Sequence, residues 1–167
     1  MPGTSDEVRI ESLEDASLFR LGEDRLARLL AEQFECTFCW TNAGGEPVAL
    51  TEAFIHHDGA IWMCSEENRV RVKAIRREPR TAVVISSMGT TMGHSKSVSY
   101  KGRSEIVRDR ETILWFLREI AKRYDPHNEQ AQRAHVRAAD SPGRVVIKFT
   151  PEQTTNAFDG DRARSRG

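Results

Sequence analysis

Lysine, cysteine and net charge are all in short supply in this chain. Its 25 basic residues are 20 arginines and only 5 lysines, and 25 acidic residues balance them, so the formal net charge is zero. A neutral chain has no general electrostatic pull toward nucleic acid or an anionic membrane surface, and neither partner is expected. No apolar run approaches the ~20 residues that a membrane-spanning helix needs. The opening MPGTSDEVRIESLEDASLFR is acidic and lacks a charged-then-apolar leader pattern, which gives the expectation of a cytoplasmic protein. Three cysteines, an odd number without an export signal, argue against a disulfide framework and for reduced thiols.

The missing partners extend to metals. Cys36 and Cys39 make a C-x-x-C spacing, which in other contexts binds zinc or carries redox chemistry. Here it falls in a strand-forming stretch, and residues three apart on a strand point to opposite faces, so the two thiols should not meet. A second cysteine pair is absent, and His56-His57 has no helical i, i+4 partner. No metal site is expected. At 167 residues and 38% apolar content, the chain can bury one core, so a single domain over 21–159 is expected, with an N-terminal arm (1–20) and a flexible tail (160–167).

What is present is a dense run of strand and turn signals between residues 37 and 80. Residues 37–41 (TFCWT) are aromatic, β-branched or strand-tolerant, and NAGGEP then supplies residues that accept positive φ. A return strand over 48–55, an Asp58-Gly59 turn and a third strand from Ile61 to about Cys64 follow. Ser65 reads as the N-cap of a helix over 66–77, with Glu66 and Glu67 at its positive end and Pro79 stopping it. Three amphipathic segments lie outside this run. Leu26, Leu29, Leu30 and Phe34 recur at helical spacing, Asp109 precedes an apolar-faced helix that ends near Tyr124, and a weaker helix covers about 128–139. That last helix either frames a pocket or is simply solvated. The glycine-, serine- and threonine-rich stretch 86–97 is a lid over a site or a hairpin tip. A final strand is read over 144–149.

A helix start beside a strand end, a hydroxyl and several cations together suit a phosphate group. Ser65, Arg69, Arg71 and Lys73 supply that set; the competing reading is a solvated basic helix face.

The run GGEPVALTEAFIHHDGAIWMCSEENRVRVKAIRREPRTAVVI (44–85) resembles the FMN-binding split β-barrel proteins related to pyridoxamine 5′-phosphate oxidase, including their deazaflavin (F420)-dependent actinobacterial relatives. The similarity continues through VSYKGRSEIV (98–107) and RVVIKFTPEQTTNAFD (144–159), and its strength lies in the order and spacing of the motifs. The resemblance implies an α+β, mainly β fold, a six-stranded antiparallel split barrel of Greek-key type with flanking helices. It also implies FMN or coenzyme F420 as cofactor, and a homodimer with the cofactor between subunits. By position Arg71 matches the family's phosphate-binding basic residue and Ser65 a hydroxyl at the end of the third strand, while Ala74 stands where the family often has Asn. Leu50, Thr51, Glu52, Ala53 and Phe54 match the strand that holds the flavin ring, with Lys96 and Ser97 completing the expected cofactor set. Glu52 is unusual there: beside an anionic ring it must face away or meet a cation such as Lys96. Phe54 and Trp62 either pack on the ring or belong to the barrel core.

No catalytic acid, base or nucleophile is assigned, because in such proteins the cofactor carries the hydride and the chain positions it. The implied function is a flavin- or deazaflavin-dependent oxidoreductase acting on a small organic substrate. The alternatives are a non-catalytic carrier or sensor and, more distantly, a haem-binding split barrel, for which His56, His57 and His94 are the residues to examine.

Overall fold

Two consecutive buried residues, Phe54 and Ile55, shape the architecture. A regular strand buries every second side chain, so this pair marks a bend. The computed structural model describes residues 19–164. In it the expected 48–55 strand becomes two: β2 (Pro47–Ala53), paired with β1 (Glu35–Thr41), and β3 (Ile55–His57), paired with β4 (Ala60–Glu66). The backbone N–H of Phe54 donates to Phe34 O at 3.1 Å and pins the corner. Phe54 belongs to the main core cluster and Ile55 to a second one.

The sheet runs β2-β1-β5-β6-β7-β4-β3, with β5 at Arg80–Ser86, β6 at Lys96–Val107 and β7 at Arg144–Asp159. Every neighbouring pair is antiparallel. The two edge strands of this curled sheet, β2 and β3, are successive in the chain, so the bend at Phe54 joins the edges and produces a split barrel. Seven strands replace the expected six because of that division. The main core fills the interior with Phe38, Trp40, Phe54, Met63, Ile85, Ile147 and Phe149. The second cluster lies where α3 (Arg110–Tyr124) packs Ile113, Phe116, Leu117 and Ile120 on Ile55 and Val146.

The turns follow their chemistry. Asp58 (φ 49°) and Gly59 (φ 70°) are both left-handed, as a tight hairpin requires. Asn42 Oδ1 accepts from the amides of Gly44 and Glu46, and Gly45 takes φ 82°. The expected helices form at α1 (Glu23–Glu32), at α3, where Asp109 caps the amide of Thr112, and at α4 (Glu129–Ala139), capped by Asn128. Cys36 is buried and Cys39 only partly so, on opposite faces of β1, and both thiols are free. Burial pushes the Cys36 thiol up to about 12.

Three expectations change. The helix after the third strand, α2, spans Val70–Arg77, with Arg69 rather than Ser65 at its N-cap position. Ser65 and Glu66 stay in β4 because Val145 and Arg144 of β7 pair with them. The last strand continues ten residues past Phe149, to Asp159, because β6 offers it a partner along its whole length. Gly160–Arg164 forms a short helix, α5, where a tail was expected. It is tied down by Asp161, which pairs with Arg25 at 2.6 Å and Lys96 at 2.8 Å, and by the buried Asp159, which meets Arg25 at 2.5 Å. The expected arm, apart from its last residues, and the end of the tail lie outside the described residues. No helix among the described residues is long and apolar enough to cross a membrane.

Candidate functional site

The barrel opens beside β2. There Thr51, Glu52 and Ala53, Cys64 of β4, and Phe116, Leu117 and Ile120 of α3 line a cavity of about 350 Å³, closed on its far side by Tyr124, His135 and Ala139. That volume lies at the lower end of the range of small-molecule sites. Inward and outward residues alternate along β2, and Glu52 lies opposite the buried Cys36. Its side chain therefore faces the barrel, not solvent. β2 is an edge strand, so one row of its backbone N–H and C=O groups is unpaired within the sheet and free to bind a flat heteroaromatic edge.

Glu52 meets a cation, but not the expected one. Arg71 Nη2 lies 2.7 Å from Glu52 Oε1, and both side chains are less than one-fifth exposed, at 19% and 17%. The same nitrogen reaches Cys64 O at 3.4 Å, while Arg71 Nε is buried with no acceptor. Burial raises the Glu52 pKa, and the Arg71 charge opposes that rise. Lys96 is occupied elsewhere. Its ammonium donates to Met92 O (2.9 Å) and His94 O (3.2 Å) and pairs with Asp161, and the residue is 3% exposed. It acts as an anchor for the 87–95 loop. Ser97, beside it, is half-buried in the β5–β6 ladder opposite Ser86.

The expected phosphate set is brought together only in part. Ser65 is buried, and its hydroxyl donates weakly to Glu66 O at 3.3 Å. Arg69 and Lys73 are exposed and make no ion pair among the described residues. Lys73 is two residues from Arg71, about 200° around the helix, so those two cations point away from each other. The α2 start has no side-chain cap, and with the Val72 amide donating to Arg69 O at 3.1 Å the amides of Val70 and Arg71 are the ones left for an anion. Leu50 is half-buried against the main core, and Phe54 is fully buried in it. Phe54 is therefore barrel core rather than a ring platform. Trp62 stacks edge-on with Trp115 at 5.3 Å and lies outside the cavity.

Sequence reasoning missed Tyr124 and His135, whose rings lie 4.8 Å apart at the cavity wall. The apolar face of the weak α4 pattern was the available signal. It also missed Arg144, which holds Glu66 at 2.8 Å and approaches Cys64 Sγ at 3.8 Å. The 87–95 loop is fastened to α1 through Glu32, which accepts from the Thr91 amide and hydroxyl, and through Gln33, whose amide donates to Ser86 O and Met88 O. Among the described residues no three His, Cys, Asp or Glu side chains gather as a metal cage.

The residues fit a phosphate-bearing cofactor on one direct observation: a buried guanidinium N–H without an acceptor at the start of an uncapped helix, beside a cavity with an open strand edge. The family model described as Pyridoxamine 5'-phosphate oxidase matches residues 23–157. Among solved structures, the conserved hypothetical protein Rv2991 of Mycobacterium tuberculosis superposes with a TM-score of 0.74 at 19% identity, covering 87% of this chain and 89% of that one. An F420 reductase gives 0.57 at 19% identity, with 77% and 94% covered. The haem storage protein HutZ of Vibrio cholerae gives 0.63 at 12% identity, with 83% and 97% covered. No curated protein matches the chain significantly.

Proposed function

This chain belongs to the pyridoxamine 5′-phosphate oxidase family, and on that premise we propose that it binds FMN or coenzyme F420 in the cavity beside β2 and acts as an oxidoreductase on a small organic substrate. The observation that carries this reading is Arg71, held at the cavity with an unmet N–H. Arg71 and the first-turn amides of α2 would hold the phosphate, with Arg69 adding charge from the N-cap position. The free edge of β2 at 51–53 would hydrogen-bond the ring. Phe116, Leu117 and Ile120 keep water from one side of the cavity. When bound, the cofactor supplies hydride transfer.

We also propose a homodimer. The outward face of β2, β1 and β5 carries Thr51, Thr37 and Val84 around a shallow groove of about 240 Å³. These are small, uncharged side chains suited to burial against a second copy.

The haem alternative draws less support. His56, His57 and His94 all lie outside the cavity: His57 packs on Trp115 at 4.9 Å, and His94 bonds Ser95 at 3.0 Å. His135, the histidine at the cavity wall, packs its ring on Tyr124 at 4.8 Å. A carrier role differs from an enzyme in covering the reactive face, since binding energy placed on the ground state does not speed the chemical step. Titration of the purified protein with FMN and with F420, followed by absorption and fluorescence, should give saturable binding of at least one. Absence of saturation with both rejects the proposal. The loaded, reduced protein should then be oxidised by quinones, enones or nitro compounds faster than free cofactor; slower reaction across the panel favours the carrier.

A further inference from the structure

Glu52 is the anion that Arg71 meets. It reaches inward from β2 to Arg71 through a single contact, 2.7 Å long, in a setting that excludes most water. Both described contacts of the guanidinium fall on one terminal nitrogen, Nη2, while Nε stays buried without an acceptor. A guanidinium offers five N–H donors in a rigid fork, and it is best satisfied by an anion that engages two edges of that fork. Glu52 therefore holds Arg71 without satisfying it. A phosphate has three oxygens and more charge, and can supply the missing acceptor. Glu52 and a phosphate cannot both be close to Arg71 without like-charge repulsion in a poorly solvated space.

We propose that Glu52 is a built-in competitor for the cofactor's phosphate. It pairs with Arg71 in the free protein, releases it on binding, and thereby sets both the affinity of the site and its preference for phosphate-bearing over phosphate-free ligands. The proposal rests on the cofactor reading above and concerns a positioning residue, not a catalytic one.

Glu52→Gln keeps the shape and removes the charge. Wild type and variant are titrated with FMN, with riboflavin, which lacks the phosphate, and with inorganic phosphate at constant ionic strength, using flavin fluorescence and melting temperature. The variant should bind FMN at least tenfold more tightly, about 1.4 kcal/mol, with riboflavin binding unchanged. Inorganic phosphate should raise its melting temperature more than that of wild type. The double variant Glu52→Gln/Arg71→Gln should lose both gains. Equal FMN affinity in wild type and variant, or an equal gain for riboflavin, overturns the proposal. If neither protein binds FMN or riboflavin, the FMN form of the cofactor reading fails, and the phosphate arm still decides: a larger, Arg71-dependent stabilisation in the variant supports the competition, and no difference overturns it. Should Glu52→Gln not fold, Glu52→Asp, which draws the charge back by one methylene, should show a smaller gain in FMN affinity, and no gain overturns the proposal.

Discussion

At the residue scale, chemistry and fold are fixed by close approaches that composition does not reveal. Gly102 lies on β6 directly after a register shift, where a Cβ would sit 2.1 Å from Thr150 O and 2.9 Å from the Phe149 ring. The glycine within VSYKGRSEIV thus has a steric reason: two backbones meet there without room for a side chain. Gly102→Ala should destabilise the fold by about 2 kcal/mol or more, because neither a backbone carbonyl nor a packed aromatic ring can give way cheaply. The midpoint of denaturant unfolding measures it; a midpoint within error of wild type would show that the strand shifts freely. The Glu52 partner is a second residue-scale lesson. The sequence offered Lys96 as its cation, but the register of β2 with β1 aims Glu52 at Arg71. Lys96 is instead consumed by loop carbonyls and Asp161.

At the element scale, local signals found the elements and tertiary pairing set their ends. The Asp58-Gly59 turn, the Asp109 cap and the α1 stripe were legible because each is encoded within a few neighbouring residues. The start of α2 was not. Ser65-Glu66-Glu67 reads as a helix entry, yet Arg144 holds Glu66 in the β4–β7 ladder and Gly143 O accepts the Glu67 amide. Hydrogen bonds to a strand some 80 positions away, at Arg144, outcompete a weak local preference. The same cause extends β7 through TPEQTT, a stretch with poor strand propensity that pairs with β6 all the same. The corner at Phe54 was hidden for another reason. A continuous apolar and polar alternation does not say where a strand leaves one neighbour for another.

At the scale of the whole molecule, the cavity is walled by β2 and β4 of the split barrel together with α3 and α4. A second copy of the chain against the outward face of β2, β1 and β5 would cover the groove at Thr37, Thr51 and Val84, which is the argument for the proposed dimer. Such an interface should bury more than about 1,000 Å². Sedimentation velocity should therefore show a dimer that persists on dilution. A monomer that still binds cofactor would mean that one chain completes the site alone.

The central claim is that the cavity beside β2 holds its cofactor by the phosphate, through Arg71. The most direct test is the dissociation constant of Arg71→Ala for whichever of FMN or F420 saturates the wild type, with circular dichroism confirming the fold. Losing a charge-assisted contact costs about 1.5–3 kcal/mol, so binding should weaken by roughly tenfold or more. An unchanged constant in the folded variant would contradict the account and move the cofactor away from α2.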